Sequence, residues 1–116
     1  MSDLKATLER LYALALHGRK LGLERVQAAC DKLGNPERSF QAVHVAGTNG
    51  KGTVTAFVGS MARAAGQRVG VYTSPHLCRF AERINIGGAP LEDDKLVVYL
   101  NQVMDIGPDL TFFEVA

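Results

Sequence analysis

A glycine-rich turn that carries one lysine lies between a strand-like segment and a helix-like segment, and it constrains the fold more than any other part of the chain. The apolar residues 42–46 form a short run with two valines, which predicts a buried strand. The sequence Gly-Thr-Asn-Gly-Lys-Gly-Thr follows at residues 47–53, and apolar residues then recur at helical spacing from Val54 to Ala65. Because glycine lets backbone N–H groups turn inward without steric cost, this order of elements predicts a loop that surrounds an anion.

The residues at the start of the predicted helix favour phosphate as that anion. The unpaired N–H groups and the dipole of a helix N-terminus attract negative charge, and Lys51 adds an ammonium group. The Thr53 hydroxyl is placed to reach a Mg²⁺ ion bound to the phosphate. The spacing departs from the general phosphate-loop motif, because only two residues separate Gly47 from Gly50 and an extra glycine follows the lysine. A glycine-rich turn that binds nothing is the alternative, but it leaves the lysine and the hydroxyl unexplained.

Composition and charge exclude several classes of function. The 116 residues are about one domain, and 13 Lys and Arg against 12 Asp and Glu leave a net charge of +1. There is no dense basic block, so we expect no nucleic-acid partner. No run approaches the ~20 apolar residues of a membrane span, so we expect no membrane partner. Cys30 and Cys78 lie in unrelated segments without metal-ligand spacing, which favours reduced thiols and a cytoplasmic location.

The remaining segments predict an α/β fold preceded by a helical hairpin. The predicted helices span 4–15, 23–33, 54–65 and 96–104, and the predicted strands span 42–46, 69–73 and 83–86. Residues 1–36 are therefore expected to form the hairpin. The order strand, helix, strand over 42–73 is typical of a crossover between parallel strands. Such a crossover would place Thr73–His76 at the same sheet edge as the glycine loop.

Four motifs together resemble one enzyme family. They lie at Leu21–Val26, Ala46–Thr53, Tyr72–Leu77 with Glu82–Ile84 downstream, and Thr111–Glu114. The combination is similar to folylpolyglutamate synthase and the bifunctional dihydrofolate synthase of the Mur ligase superfamily. The resemblance implies the N-terminal part of a Mur-ligase-type P-loop domain, with a parallel sheet flanked by helices after the helical hairpin of residues 1–36. Residues 37–116 would then form an incomplete ATP-binding central domain.

The resemblance also implies the chemistry. In this family ATP and Mg²⁺ convert the carboxylate of a folate or dihydropteroate into an acyl phosphate, and the amine of L-glutamate attacks it to form an amide. Such phosphoryl transfer depends on positioning and charge neutralisation, which match the residues of the glycine loop. Carried over by motif, the ATP-binding residues are Thr48, Asn49, Gly50, Lys51, Gly52 and Thr53. Ser74 corresponds to a Mg²⁺ ligand, and Thr53 is a second candidate near the metal.

A second set of residues would bind the folate or dihydropteroate. By resemblance, the segments that line the pterin pocket are Lys20, Leu21 and Gly22 together with Thr111, Phe112, Phe113 and Glu114. Aromatic faces suit a flat pterin ring, but one phenylalanine of an adjacent pair is expected to be a core residue.

Several side chains keep alternative interpretations. The sequence Ser74-Pro75-His76 is also typical of a simple turn after a strand. Arg83 and His76 are candidate anion contacts. The alternatives are a solvated ion pair for Arg83 and a hydrogen-bonding loop residue for His76. His44 stands inside an apolar run and is expected to be a core residue.

The family is several times longer than this chain, so we expect an N-terminal fragment without ligase activity. The family is usually monomeric, whereas exposed apolar faces would let such a fragment self-associate. Two other interpretations stay open: a non-catalytic nucleotide-binding module, and a ligase that acts on a UDP-muramoyl peptide. Ser74–Leu77 with Glu82 and Arg83 favours the folate branch over the latter. The parent protein would make dihydrofolate, extend polyglutamate tails or do both, and Thr111–Glu114 favours both activities.

Overall fold

The computed structural model describes residues 2–18 and 22–116, without the side chains of Ser2 and His17. Helices α1 to α5 span Ser2–Ala13, Glu24–Lys32, Lys51–Ala64, Asp93–Ile106 and Phe112–Val115, and strands β1 to β3 span Gly70–Tyr72, Ile84–Ile86 and Ala89–Pro90. Short 3-10 helices span Leu14–His17, Pro36–Arg38 and Phe80–Arg83. Across these described residues, no helix combines the length and the apolar character that crossing a bilayer requires.

The chain divides into two compact units. The helical unit comprises the described part of Met1–Gln41 together with Asp94–Ala116, and the sheet unit comprises Ala42–Asp93. The last two helices thus belong with the N-terminal helices. The predicted division after residue 36 stays a prediction.

The core of the helical unit is built from apolar positions that recur at helical spacing. Leu96, Leu100 and Met104 follow one another every four residues on α4, and each is at most 4% exposed. The buried apolar side chains of this unit are Leu11, Ala29, Leu96, Leu100, Met104, Leu110, Phe112 and Val115. The α4 helix ends before Gly107, where the buried Leu110 side chain lies against the backbone and an added Cβ would be only 2.5 Å from Leu110 Cδ1.

Polar side chains connect α1 to α4. Arg10 donates hydrogen bonds to Asn101 Oδ1 at 3.0 Å and to Asp105 Oδ1 at 2.8 Å. The Asn101 side chain in turn donates to the hydroxyl of the buried Thr7 at 2.9 Å. These contacts join residues that are more than 90 positions apart in the sequence.

The short helix α5 begins with a capping box. The Thr111 N–H donates to Glu114 Oε1 at 3.0 Å, and the Glu114 N–H donates to the Thr111 hydroxyl at 3.3 Å. Such reciprocal bonds satisfy two backbone donors that a helix start otherwise leaves open. Four residues are too few to show a helical period, so periodicity alone missed this helix.

The sheet unit contains a three-stranded antiparallel sheet in the order β1-β2-β3. Val71 pairs with Asn85, and Ile86 pairs with Ala89. Strands β1 and β2 fall within the predicted strands. The β2–β3 turn is Gly87-Gly88, with φ of 62° and 94°, and such positive values favour glycine in two-residue hairpins.

The predicted parallel crossover is not formed among the described residues. Residues 42–46 carry no strand, and every described strand pair is antiparallel. An extended segment becomes a strand only when a neighbour takes up its backbone hydrogen bonds, and nothing in the described chain does so here. Val43 is accordingly 75% exposed. The expectation that His44 is a core residue is wrong for this structure, because the same lack of a neighbour leaves it exposed.

Candidate functional site

The glycine loop leads directly into α3 with two residues in the left-handed region of backbone space. Gly47 has φ of 146°, and Gly50, the residue before α3, has φ of 73° and ψ of 7°. Glycine adopts these values without the strain that a side chain brings. No side chain of the N-cap residue caps the helix, because that residue is glycine. The first N–H groups of α3 are therefore suited to an external anion.

Lys51 is the first residue of α3, and its stem lies beside the loop. Its Cγ is 4.0 Å from the position that a Cβ on Gly47 would take. The whole predicted ATP-binding set is exposed: Thr48, Asn49, Gly50, Lys51, Gly52 and Thr53. This part of the chain thus exposes backbone donors, one ammonium and two threonine hydroxyls to solvent.

The charge of the surrounding sequence also suits an anion. Between Glu37 and Glu82 the chain has no aspartate or glutamate, while it has basic residues at Arg38, Lys51, Arg63, Arg68 and Arg79. An anion that approaches the loop therefore meets no carboxylate from this long segment.

Ser74 follows the end of β1 and is exposed. The Ser74–Pro75 peptide bond is cis. The N–H of the preceding Thr73 donates to the Arg83 carbonyl at 2.9 Å. We expected Ser74 and the glycine loop to lie at the same edge of a parallel sheet. The described residues form no parallel strand pair, so this shared edge stays a prediction.

Glu82 holds the far side of the same turn. Its carboxylate accepts backbone N–H groups from Leu77 at 3.0 Å, Cys78 at 3.2 Å and Arg79 at 2.9 Å. These bonds, that of Leu77 first, lower the pKa of Glu82 below its ordinary value. The sequence showed Glu82 only as part of a motif, and its contact with the turn could not be inferred from spacing.

Arg83 and His76, the two candidate anion contacts, are bonded to each other. Arg83 Nε donates to His76 Nδ1 at 2.8 Å, and Arg83 is only 8% exposed. Both lie on the ring of Phe80, with the guanidinium carbon 5.0 Å and the imidazole centroid 5.5 Å from the ring centroid. The role of either residue as an anion contact stays a prediction.

The donor set suits Mg²⁺ only in company with a bound phosphate. Within residues 2–18 and 22–116, no group of three or more His, Cys, Asp and Glu could hold a metal ion. Ser74 and Thr53 offer exposed hydroxyl oxygens. Mg²⁺ prefers oxygen ligands and is commonly held by one or two protein groups, substrate phosphates and water. The residues present therefore fit a metal that arrives with a nucleotide.

The described residues of the second predicted site lie in the helical unit, where Glu114 forms an ion pair with Arg25. Arg25 contacts Glu114 through Nη2–Oε2 at 3.0 Å and through Nε at 3.1 and 3.2 Å. Their side chains are 20% and 11% exposed. The bond from Arg25 is the main reason that the pKa of Glu114 lies below its ordinary value. Arg25 stands three residues after Gly22 in the sequence, and its partner Glu114 is the last residue of the other segment, Thr111–Glu114. Lys20 and Leu21 lie outside the described residues.

The adjacent phenylalanines of this site have different environments. Phe112 is 6% exposed and stacks on Tyr12 with ring centroids 5.1 Å apart. Phe113 is 56% exposed, and its ring stands at 87° to that of Phe112. One of the two is thus a core residue, as expected. Sequence reasoning gave Arg25 no role, although it lies within the Leu21–Val26 motif.

A cavity of about 270 Å³ lies within the sheet unit, between α3 and the strands. Its polar lining includes Ser60, Arg63, Thr73, Glu82 and Asn85. No residue of the glycine loop lines it. Phosphate binding in this chain would therefore use the open surface at the start of α3.

Comparisons with known proteins agree with the motifs. No family model matches the chain. The chain is 44% identical over 93 residues to a dihydrofolate synthase/folylpolyglutamate synthase of Bacillus subtilis. This match covers 76% of this chain and 22% of that protein. A bifunctional folylpolyglutamate synthase/dihydrofolate synthase from Yersinia pestis, complexed with AMPPNP and Mn, matches 97% of this chain at 39% identity and a TM-score of 0.81. Escherichia coli FolC in complex with DHPP and ADP matches 94% at 36% identity and a TM-score of 0.77.

The matched relatives are much longer than the chain. The chain covers 28% of each of the two solved structures, so it spans about a quarter of the proteins that it resembles. The likeness extends over most of its own length in both sequence and backbone, and the predicted resemblance is confirmed. Over most of its own length the chain is therefore similar to a part of the folylpolyglutamate synthase/dihydrofolate synthase proteins.

Proposed function

We propose that the chain supplies the ATP phosphate-binding loop and part of the folate pocket of an ATP-dependent ligase. The ligase joins a carboxylate of folate or dihydropteroate to L-glutamate through an acyl phosphate. The observation that carries this proposal is the start of α3, where left-handed Gly50 leaves the helix N-terminus without a side-chain cap beside Lys51. The resemblance to proteins solved with nucleotides and with DHPP supports the same assignment.

The phosphates of ATP would bind at Thr48–Thr53. Backbone N–H groups of the loop and of the first turn of α3 bind phosphate oxygens, and the Lys51 ammonium neutralises charge that develops during transfer. Mg²⁺, when bound, supplies further neutralisation of the phosphates. Ser74 would be its protein ligand, with Thr53 as a second candidate. The exposed hydroxyls of Ser74 and Thr53 support the metal role, and the lack of aspartate and glutamate between Glu37 and Glu82 supports phosphate binding at the loop.

The folate or dihydropteroate would bind at Thr111–Glu114 and at residues 20–22. Exposed Phe113 offers an aromatic face for a flat pterin ring, whereas Phe112 is held in the core by Tyr12. Glu114 already bonds Arg25 and the Thr111 N–H, so its part is to fix the shape of the pocket. The likeness to folate ligases over most of the chain favours this substrate class over a UDP-muramoyl peptide.

The parallel sheet predicted for the family belongs to the same proposal. Its support is that β1 is an edge strand of the described sheet, and an edge strand can pair with a further strand. The monomeric state and the cytoplasmic location stay predictions from the family resemblance.

Nucleotide titration of wild type and a Lys51→Ala variant tests the proposal. Charge-assisted hydrogen bonds contribute about 1.5–3 kcal/mol, so the variant should bind AMPPNP with Mg²⁺ roughly 10- to 100-fold more weakly. Lys95→Ala is the matched control, because Lys95 is an exposed lysine of the helical unit. Equal nucleotide affinity of wild type and Lys51→Ala would contradict the proposal.

The folate pocket is tested by titration of wild type and a Phe113→Ala variant with dihydropteroate, where we expect the variant to bind more weakly.

A further inference from the structure

We propose that Arg83 is a positioning residue that fixes the turn carrying Ser74 for metal binding. This inference rests on the proposed role of Ser74 as a Mg²⁺ ligand. Arg83 contacts the turn on both sides of Ser74-Pro75. Its carbonyl accepts the Thr73 N–H at 2.9 Å, and its Nε donates to His76 Nδ1 at 2.8 Å.

Arg83 can hold the turn because it is itself held. The residue is 8% exposed, and its guanidinium lies 5.0 Å above the ring of Phe80, which is 4% exposed. His76 meets the same ring edge-on at 5.5 Å. A buried guanidinium on an aromatic face keeps its planar donors in one orientation. The position of His76, two residues after Ser74, is therefore set by packing as well as by the hydrogen bond.

Glu82 adds a second attachment on the far side of the turn. Its carboxylate accepts three successive backbone N–H groups, from Leu77 to Arg79. Arg83 and Glu82 both belong to the 3-10 helix that leads into β2, and β2 pairs with β1, the strand that ends before Ser74. The turn is thus fixed to one short helix at its beginning, middle and end, while Ser74 itself is exposed.

This arrangement has a defined consequence for the metal. A ligand held in place by its neighbours loses little freedom when the ion binds. Groups that orient a metal ligand typically change metal affinity by about 10- to 100-fold when they are replaced. Nucleotide binding without metal uses the glycine loop and should not depend on Arg83.

The test measures the AMPPNP dissociation constant in EDTA and in Mn²⁺, and takes the ratio of the two as the metal effect. In Arg83→Lys we expect the ratio to fall about 10-fold, because lysine keeps the charge but loses the Nε donor. His76→Phe should lower it as well, since phenylalanine keeps the ring on Phe80 but removes the acceptor. It serves as the second variant if Arg83→Lys does not fold. Exposed Arg38 provides the matched control Arg38→Lys, which should keep the wild-type ratio.

Each outcome decides between the inference and the proposed function. A wild-type ratio in both Arg83→Lys and His76→Phe overturns the positioning role. An equal loss of affinity in EDTA and in Mn²⁺ also overturns it, because the variant would then have damaged nucleotide binding in general. A wild-type protein without a metal effect, or a Ser74→Ala variant with the wild-type ratio, overturns the metal role of Ser74 and the inference with it.

Discussion

The helical unit contains most of the buried apolar side chains among the described residues, whereas the sheet unit contains few, although both units also expose large apolar side chains. Among the described residues, the buried apolar side chains of the sheet unit are Phe80 and Ala81, and α3 contributes none. Phe57 and Met61 of α3 are 65% and 64% exposed. The apolar pattern of α4 therefore encodes packing within this chain. The apolar pattern of α3 encodes a face that the described chain does not cover.

The two units also use their carboxylates differently. Glu114 of the helical unit is paired with a guanidinium, whereas Glu82 of the sheet unit binds backbone N–H groups of a turn. The pKa of each lies below its ordinary value, for these different reasons. The first arrangement fixes two distant segments to each other, and the second fixes a local loop.

Truncation of one apolar side chain in each unit gives the largest expected difference in the free energy of unfolding. Leu100→Ala removes a side chain that is 4% exposed and should lower the free energy of unfolding by about 2–5 kcal/mol. Phe57→Ala removes an exposed side chain and should change it by less than about 0.5 kcal/mol. Urea denaturation followed by circular dichroism measures both. A comparable loss in the two variants would show that the face of α3 is covered in solution, and would remove the contrast.

One ion pair from each unit gives a smaller expected difference in stability. Arg25→Gln breaks a pair whose side chains are 20% and 11% exposed, and Arg79→Gln breaks the Arg79–Asp93 pair, whose side chains are 62% and 26% exposed. Exposed pairs contribute little to stability because water screens them. We therefore expect a lower urea midpoint for Arg25→Gln and an unchanged midpoint for Arg79→Gln. A double variant of Arg25→Gln with Glu114→Gln isolates the pair, and additivity there would argue against coupling.

The smallest expected difference between the units is in how Glu114 and Glu82 affect stability at acid pH. Both glutamates have a folded-state pKa below the ordinary value of 4.5. Between that lowered pKa and 4.5 the unfolded chain binds more protons, so stability that is fully present above 4.5 is lost as the pH falls. Glu114→Gln should reduce the acid dependence of the urea midpoint. Glu82→Gln should instead speed hydrogen exchange at the Leu77, Cys78 and Arg79 amides, with little change in the midpoint.

These outcomes would show whether Glu82 stabilises only its own turn, while Glu114 stabilises the whole fold. If Glu82→Gln lowered the urea midpoint as much as Glu114→Gln, the turn after β1 would be part of the cooperative core. Unchanged exchange at the three amides would show that their bonds to the carboxylate contribute nothing measurable in solution.

Patterns within single segments predicted helices α1 to α4 and strands β1 and β2. The glycine loop before α3 was also predicted, because glycines and a lysine directly before a helix have a local physical meaning. The strand at 42–46 was not found, since its existence depends on a partner that periodicity cannot supply. The helix α5 left a signal that periodicity overlooks, the Thr111-x-x-Glu114 capping box.

Contacts between distant segments could not be predicted. From the sequence, Arg83 was expected to be a solvated or anion-binding residue. In the structure it is buried against Phe80 and bonded to His76. Arg25 and Glu114 are 89 positions apart, and no spacing rule relates them. Charged side chains have several partners of similar energy, and only the fold selects among them.

The order of the units along the chain has a consequence for folding during synthesis. The sheet unit is inserted between the two parts of the helical unit, which meet through bonds such as those from Arg10 to Asn101 and Asp105. The N-terminal helices can therefore form these contacts only after the whole sheet unit and α4 have been synthesised. Closing a longer loop adds only a slowly growing entropy cost, about 0.6 kcal/mol for each doubling of its length. Insertions within the sheet unit should thus delay the folding of the helical unit more than they weaken it.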